Sequence, residues 1–194
     1  VIIAVNIFVF LLTYSNPNLS YFLGLNPVLF FQNHMYWQPF TYMFVHGSFS
    51  HIFFNMLGLV FFGFTTERAM GSKEFVLMYL VCGFFSGIIS LIFYTVTGMV
   101  NVFLIGASGA IYSMLLAFAV IFPRSRIFIW GIIPVPAPLL IIIYAVIELG
   151  SQLFSLRGGI AHLTHLAGFA VAWLYFIIRM GIHPIKVWKD AYRK

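Results

Sequence analysis

The run Gly106-Ala107-Ser108-Gly109 sets one serine among the smallest residues, within a stretch otherwise rich in Leu, Ile, Phe and Val. A hydroxyl placed there can let two helices pack closely, or it can be a nucleophile. It becomes a useful nucleophile only with a base in hydrogen-bond reach, and imidazole is the usual one. Four of the six histidines fall in two windows: His46 and His51, with Asn55 following, and His162 with His165. Tyr112 stands four residues after Ser108, on the same helical face, where it can brace an imidazole by stacking. His162 and His165, one turn apart, could instead hold a metal. Zinc takes three or four ligands, and no Cys, Asp or Glu lies near them in sequence. Glu148 is the one acid well inside an apolar stretch, able to hydrogen-bond across a bundle or to orient a histidine.

The elements that must position these groups follow from composition. The 194 residues are 62% hydrophobic and only 7% charged, where a soluble domain carries about 25% charge. The expected fold is therefore an all-α polytopic membrane protein. About 20 apolar residues cross a bilayer, and six candidate spans emerge, at 1–14, 49–66, 75–97, 106–122, 138–154 and 159–179. The chain opens at Val1 inside an apolar run. The first span is thus expected to be the remainder of a longer helix, with room for a cytoplasmic domain before it. The fifth is expected to start near Pro138, since proline suits a helix's first turn but not its interior, and 127–134 to be an interfacial connection. A single domain, 1–194, accounts for the whole. The lone Cys82 rules out an intrachain disulfide.

Charge sets the orientation. Arg68, Lys73, Arg124, Arg126, Arg179, Lys186, Lys189, Arg193 and Lys194 fall on one side of the six spans, and Arg157 alone on the other. Basic residues gather on the cytoplasmic side, so both termini are expected there. The net charge of +6 then needs no nucleic-acid partner. Residues 15–46 hold no charged side chain but many aromatic and amide ones, a composition suited to the outer membrane interface.

With that orientation Ser108 starts the fourth span near the outer face. His51 and Asn55 start the second there, and His162 and His165 the sixth. Isolated polar residues in membranes are commonly packing contacts, whereas ionisable ones mark functional sites. His46, His51, Asn55, Ser108, Tyr112, His162 and His165 at one level predict a hydrated pocket opening outward. Gly106 and Gly109 would let a substrate backbone approach the hydroxyl. Gly168 would let the fourth and sixth spans pack closely. The first turn of the fourth helix offers free N–H groups to a developing oxyanion.

Over nearly its whole length the chain resembles the rhomboid intramembrane serine proteases. Their Gly-x-Ser-Gly motif stands as Gly106-Ala107-Ser108-Gly109, and the histidine motif as "THLAGF" around His165. The second-span pattern appears as His46, His51 and Asn55, and the supporting tyrosine as Tyr112. "ERAMGS" matches the Glu-x-x-x-Gly turn with Glu67 and Gly71. Two positions depart from the family's pattern: Trp37-Gln38 replaces Trp-Arg, and Gly168 is followed by Ala172 rather than a second glycine.

The resemblance implies peptide-bond hydrolysis in or next to transmembrane segments of other membrane proteins, through an acyl-enzyme. Ser108 would be the nucleophile and His165 the base. The Ser108 amide, His51 and Asn55 would hold the oxyanion, with Tyr112, Gly106, Gly109, His46 and Gly168 in support. It implies neither cofactor nor metal, and a dyad with Glu148 outside the mechanism. The segment 153–158 would be a lid, and scissile sites would carry small residues near a helix-destabilising stretch. The partners would be transmembrane protein substrates and the lipid bilayer, with the oligomeric state left open. The location would be a bacterial inner membrane, with the site opening to the extracytoplasmic side. An inactive client-binding relative, a transporter and a metal or haem protein are the competing readings.

Overall fold

The computed structural model describes residues 1–129, 131–154 and 160–193. Four helical stretches are long and apolar enough to cross a membrane: Phe49–Met70, Ser72–Val96, Ala137–Phe154 and Ala161–Ile178. Ile2–Ser15 and Ser108–Ile121 are apolar but shorter. The protein is a helical membrane protein. Its outward helix faces carry bare apolar side chains such as Phe53, Phe54, Ile142, Val146 and Leu174, which suits a hydrocarbon solvent.

After α1 (Ile2–Ser15) the chain enters the aromatic segment as short helices, α2 (Pro17–Leu23), α3 (Pro27–Gln32) and α4 (Gln38–Thr41), with a 3₁₀ turn over Tyr42–Phe44. Asn16 and Asn26 cap α2 and α3, each followed by a proline at the first helical position, the arrangement both residue types favour. Gln38 ties the segment together. Fully buried, it accepts from the Asn26 N–H at 3.2 Å and donates to the Phe22 carbonyl at 3.5 Å. Trp37 Nε1 donates to that same carbonyl at 2.9 Å, so anchoring does not require an arginine at position 38.

Helix α5 (Phe49–Gly58) runs through a π turn (Leu59–Gly63) into α6 (Phe64–Met70). Gly71 ends it at φ +85°, in the left-handed region that glycine favours at helix ends. The Gly71 N–H donates to the Glu67 carbonyl at 2.8 Å, and Ser72 Oγ donates to the Glu67 carboxylate at 2.6 Å. Then follow α7 (Ser72–Val96) and α8 (Ser108–Ile121).

One expectation is corrected after α8. Strands β1 (Arg126–Ile129) and β2 (Ile133–Pro136) form an antiparallel hairpin with Arg126 opposite Pro136, so the fold is not all-α as expected. Pro134 and Pro136 are tolerated because each strand has one neighbour and an open edge. Helices α9 (Ala137–Phe154), α10 (Ile160–Ile178) and α11 (Pro184–Tyr192) complete the chain.

Helix α8 is the axis of the bundle and packs against α7, α9 and α10. Ala110, Met114, Leu116, Ala117 and Ala119 along it are almost wholly buried. Alanine, glycine and serine on α7 and α8 allow this closeness: Gly83 on α7 leaves room for Met43 and Ala110 and accepts a 2.7 Å hydrogen bond from Tyr42 Oη. Ser90 and Thr164 pair across α7 and α10 at 2.8 Å, which satisfies polar groups that the apolar surroundings leave without water.

Candidate active site

Ser108 is the first residue of α8. Helix geometry leaves the earliest N–H groups without intrahelical acceptors; the first such bond observed is from Ile111 N–H to the Ala107 carbonyl, at 3.0 Å. The Ser108 hydroxyl therefore sits at the positive end of a buried helix.

His165 lies five residues into α10, with Nε2 2.7 Å from Ser108 Oγ. Its ring stacks on Tyr112 at 4.1 Å between centroids and 10° between planes, so α8 supplies both the hydroxyl and the surface on which the imidazole rests. His165 Nδ1 is 2.9 Å from Glu148 Oε1. Tyr112 Oη donates to the same oxygen, and His162 Nδ1 is 2.5 Å from Glu148 Oε2. An ionised carboxylate only accepts. Neutral His165 must then carry its proton on Nδ1, which leaves the Nε2 lone pair facing Ser108.

Glu148, expected outside the chemistry, is thus hydrogen-bonded to His165. His162, one turn before His165, reaches Glu148 and not the hydroxyl. Depth is the signal that could have found this. Glu148 lies six residues before the end of α9 and His165 five after the start of α10, and the two helices run antiparallel as neighbouring spans.

His51, Asn55, Gly106, Ser108, Tyr112 and His165 line one cavity of about 460 Å³. Asn55 Nδ2 donates to the His51 carbonyl at 2.8 Å, which leaves its second N–H free for another acceptor. His51 Nδ1 accepts from the Gly47 N–H at 3.4 Å, so Nε2 carries the proton and is a donor. That nitrogen faces Gly106, where a Cβ would lie only 2.6 Å from it; Gly106 also adopts φ +115°.

Two predicted residues do different work from that expected. Gly109 makes room for neighbouring helices rather than for a substrate: a Cβ there would press on Thr164 and Ser86 at 3.0 and 3.1 Å. His46 stands behind His51, 5.0 Å between ring centroids. It is 3% exposed, does not line the cavity, and its Nε2 has no hydrogen-bond partner among the described residues. Burial first, then His51, lowers its pKa to about 4 against a weaker opposing hydrogen bond to the Phe44 carbonyl. Gly168 lies against α8, where Ser113 Oγ is within bonding distance of both the Gly168 carbonyl, at 2.9 Å, and the Gly109 carbonyl, at 3.1 Å. Residues 155–158 of the expected lid lie outside the described residues.

Fold and site together define a helical membrane protein in which a hydroxyl, an imidazole and a carboxylate are aligned between three helices. Residues 33–181 match the family model for the rhomboid domain, and the chain belongs to the rhomboid family. It is 29% identical over 149 residues to RHOMBOID-like protein 4 of Arabidopsis thaliana, covering 76% of this chain and 35% of that one. Over 134 residues it is 28% identical to "Rhomboid protein 1, mitochondrial" of Saccharomyces cerevisiae, covering 68% and 38%. Over 82 residues it is 34% identical to "Putative rhomboid protease YdcA" of Bacillus subtilis (strain 168), covering 42% and 39%. The chain spans less than half the length of each of these relatives.

Proposed function

We propose that the chain is an intramembrane serine endopeptidase that hydrolyses peptide bonds in or next to transmembrane segments of other membrane proteins. The observation that carries this reading is the 2.7 Å separation of His165 Nε2 and Ser108 Oγ, with the imidazole proton held on the far nitrogen. Membership of the rhomboid family and the protease name of the Bacillus relative support it.

In the proposed topology six helices span the membrane, both termini are cytoplasmic, and the aromatic segment before α5 lies in the outer interface. Helix α8 has 14 residues, a length of about 21 Å, against a hydrocarbon core of about 30 Å. Ser108 then sits below the outer surface, in a cavity that water reaches from outside. The location proposed is a bacterial plasma membrane, with the site opening to the extracytoplasmic side.

Ser108 Oγ attacks the scissile carbonyl as His165 Nε2 takes its proton. The imidazolium returns that proton to the leaving amine, and water resolves the acyl-enzyme by the same route in reverse. The oxyanion is held by the Ser108 amide, His51 Nε2–H and the free N–H of Asn55, each such donor being worth about 10²–10³ in rate. Glu148 acts through His165 as a positioning residue, fixing tautomer and ring orientation, and Tyr112 braces both.

The test is labelling of the detergent-solubilised protein with a fluorophosphonate probe, together with cleavage of a membrane-embedded substrate. Labelling and cleavage are expected in the unmodified chain and lost in Ser108→Ala and in His165→Ala. A folded, unmodified chain that neither labels nor cleaves is a client-binding relative and not a protease.

A further inference from the structure

Hydrolysis as just described makes no direct use of His162, whose one hydrogen bond among the described residues is to Glu148. The geometry points to a second role for this corner of the site: His162, Glu148 and His165 form an inhibitory binding site for a divalent transition cation of the Zn²⁺ type. The inhibitory part rests on the protease reading above; the site itself does not.

One ligand atom from each of the three residues lies within 4.8 Å of the other two. Two imidazoles and one carboxylate are a recognised zinc donor set, with the fourth position left to water. Around a tetrahedral ion with bonds of about 2.0–2.1 Å the ligand atoms stand about 3.3 Å apart. His162 Nδ1 lies 2.5 Å from Glu148 Oε2 and His165 Nδ1 lies 2.9 Å from Oε1, and the widest of the three separations, at most 4.8 Å, has to close by no more than about 1.5 Å. The donors come from two packed helices, α9 and α10. Tyr112 Oη, already on the Glu148 carboxylate, orients it as outer hydrogen bonds commonly do for metal-ligating groups. Entry is from the His162 side: that side chain is 29% exposed, against 14% for His165 and 7% for Glu148.

The consequence for the hydroxyl follows from counting lone pairs. A neutral imidazole has one nitrogen lone pair and one N–H. A cation on Nδ1 of His165 uses the lone pair and moves the proton to Nε2. Nε2 then donates to Ser108 instead of accepting from it, and the serine has no base. The same ion takes the carboxylate that otherwise sets the opposite tautomer. Occupied, the site is an off state; emptied by a chelator, it returns the base.

The test uses chelator-treated protein with any affinity tag removed, in detergent. Titration with Co²⁺ is expected to give the visible absorption of a low-coordinate ion at one equivalent per chain, displaced by Zn²⁺. With Zn²⁺ at about ten times its Kd, fluorophosphonate labelling is expected to fall about tenfold, the fraction of sites left empty, and to recover with chelator. His162→Ala and His162→Gln, each compared with its own chelated state, are expected to lose the cobalt absorption and the response to Zn²⁺. Absence of stoichiometric Co²⁺ binding overturns the site, as does binding that survives both substitutions. Binding with unchanged labelling overturns the inhibition. Cobalt absorption does not depend on activity, so the two readings separate. A chain that labels but binds no cation sinks this inference alone, whereas one that binds through His162 and never labels sinks the protease reading.

Discussion

Gly168 lies so close to Gly109 that a Cβ at position 168 would stand 2.2 Å from the Gly109 carbonyl oxygen. The contact sets the spacing of α8 and α10, and through it the distance between Ser108 and His165. Because the obstructing atom belongs to the backbone of α8, no side-chain rotation relieves it. Gly168→Ala is expected to cost about 1–3 kcal/mol of stability by overpacking and to push His165 out of reach of the hydroxyl. Thermal unfolding in detergent and the fluorophosphonate labelling rate check both parts. Labelling at the unmodified rate would show that the two helices can part without disturbing the pair.

Glu148→Gln keeps the size of the side chain but no longer offers two equivalent acceptor oxygens, so the tautomer of His165 is no longer fixed. The expected result is a kcat lower by roughly 10²- to 10⁴-fold, with KM nearly unchanged and part of the loss restored in Glu148→Asp. A purely structural role predicts instead a lowered unfolding midpoint with kcat per folded molecule preserved.

Tyr112 contributes a ring under His165 and a hydroxyl to Glu148, and two substitutions separate these. Tyr112→Phe keeps the stack and is expected to label more slowly by about 10- to 150-fold at most, since one hydrogen bond to a charged group is worth about 1.5–3 kcal/mol. Tyr112→Leu also loses the stack, worth about 0.5–1.5 kcal/mol more, and should label more slowly still. Equal rates in the two variants would remove the ring from the account.

His46 predicts a pH dependence of stability. The unfolded chain binds a proton at this residue near pH 6.5, whereas the folded chain holds it off until about 4. The unfolded state therefore binds more protons between these values. Stability is full above pH 6.5 and declines as the pH falls toward 4, by about 3 kcal/mol in all. Unfolding midpoints at pH 7.5 and pH 5 are the measurement, and His46→Gln is expected to flatten the difference. An unchanged slope in that variant would assign the effect to other groups.

Gln38→Ala leaves the buried Asn26 N–H without its acceptor, an omission that costs about 1–3 kcal/mol. The loss should appear as earlier proteolysis within residues 16–44 and a lower unfolding midpoint. Gln38→Glu, which retains an acceptor for that N–H, should fall between the two.

Much of the molecule is legible in the amino-acid sequence by itself. The helices are, because a bilayer demands long apolar runs and punishes polar ones: the apolar stretches 49–66, 75–97 and 138–154 correspond to Phe49–Met70, Ser72–Val96 and Ala137–Phe154. The approach of Ser108, Tyr112 and His165 is legible too, since helical spacing and a common depth follow from local sequence. What only the tertiary structure decides are contacts whose partners are distant in the chain or hidden by rotation about a helix axis. Glu148 meets His165 and His162 because α9 turns one particular face toward α10, and neither hydropathy nor spacing fixes that angle. Gly109 turns toward Thr164 and Ser86 rather than the cavity for the same reason, and His46 is shut behind His51 by the packing of a loop. The hairpin at 126–136 escapes a reading of the sequence because its strands are four residues each and the second carries two prolines. Sequence determines which residues can lie at one depth; side-by-side packing of helices determines which of them touch.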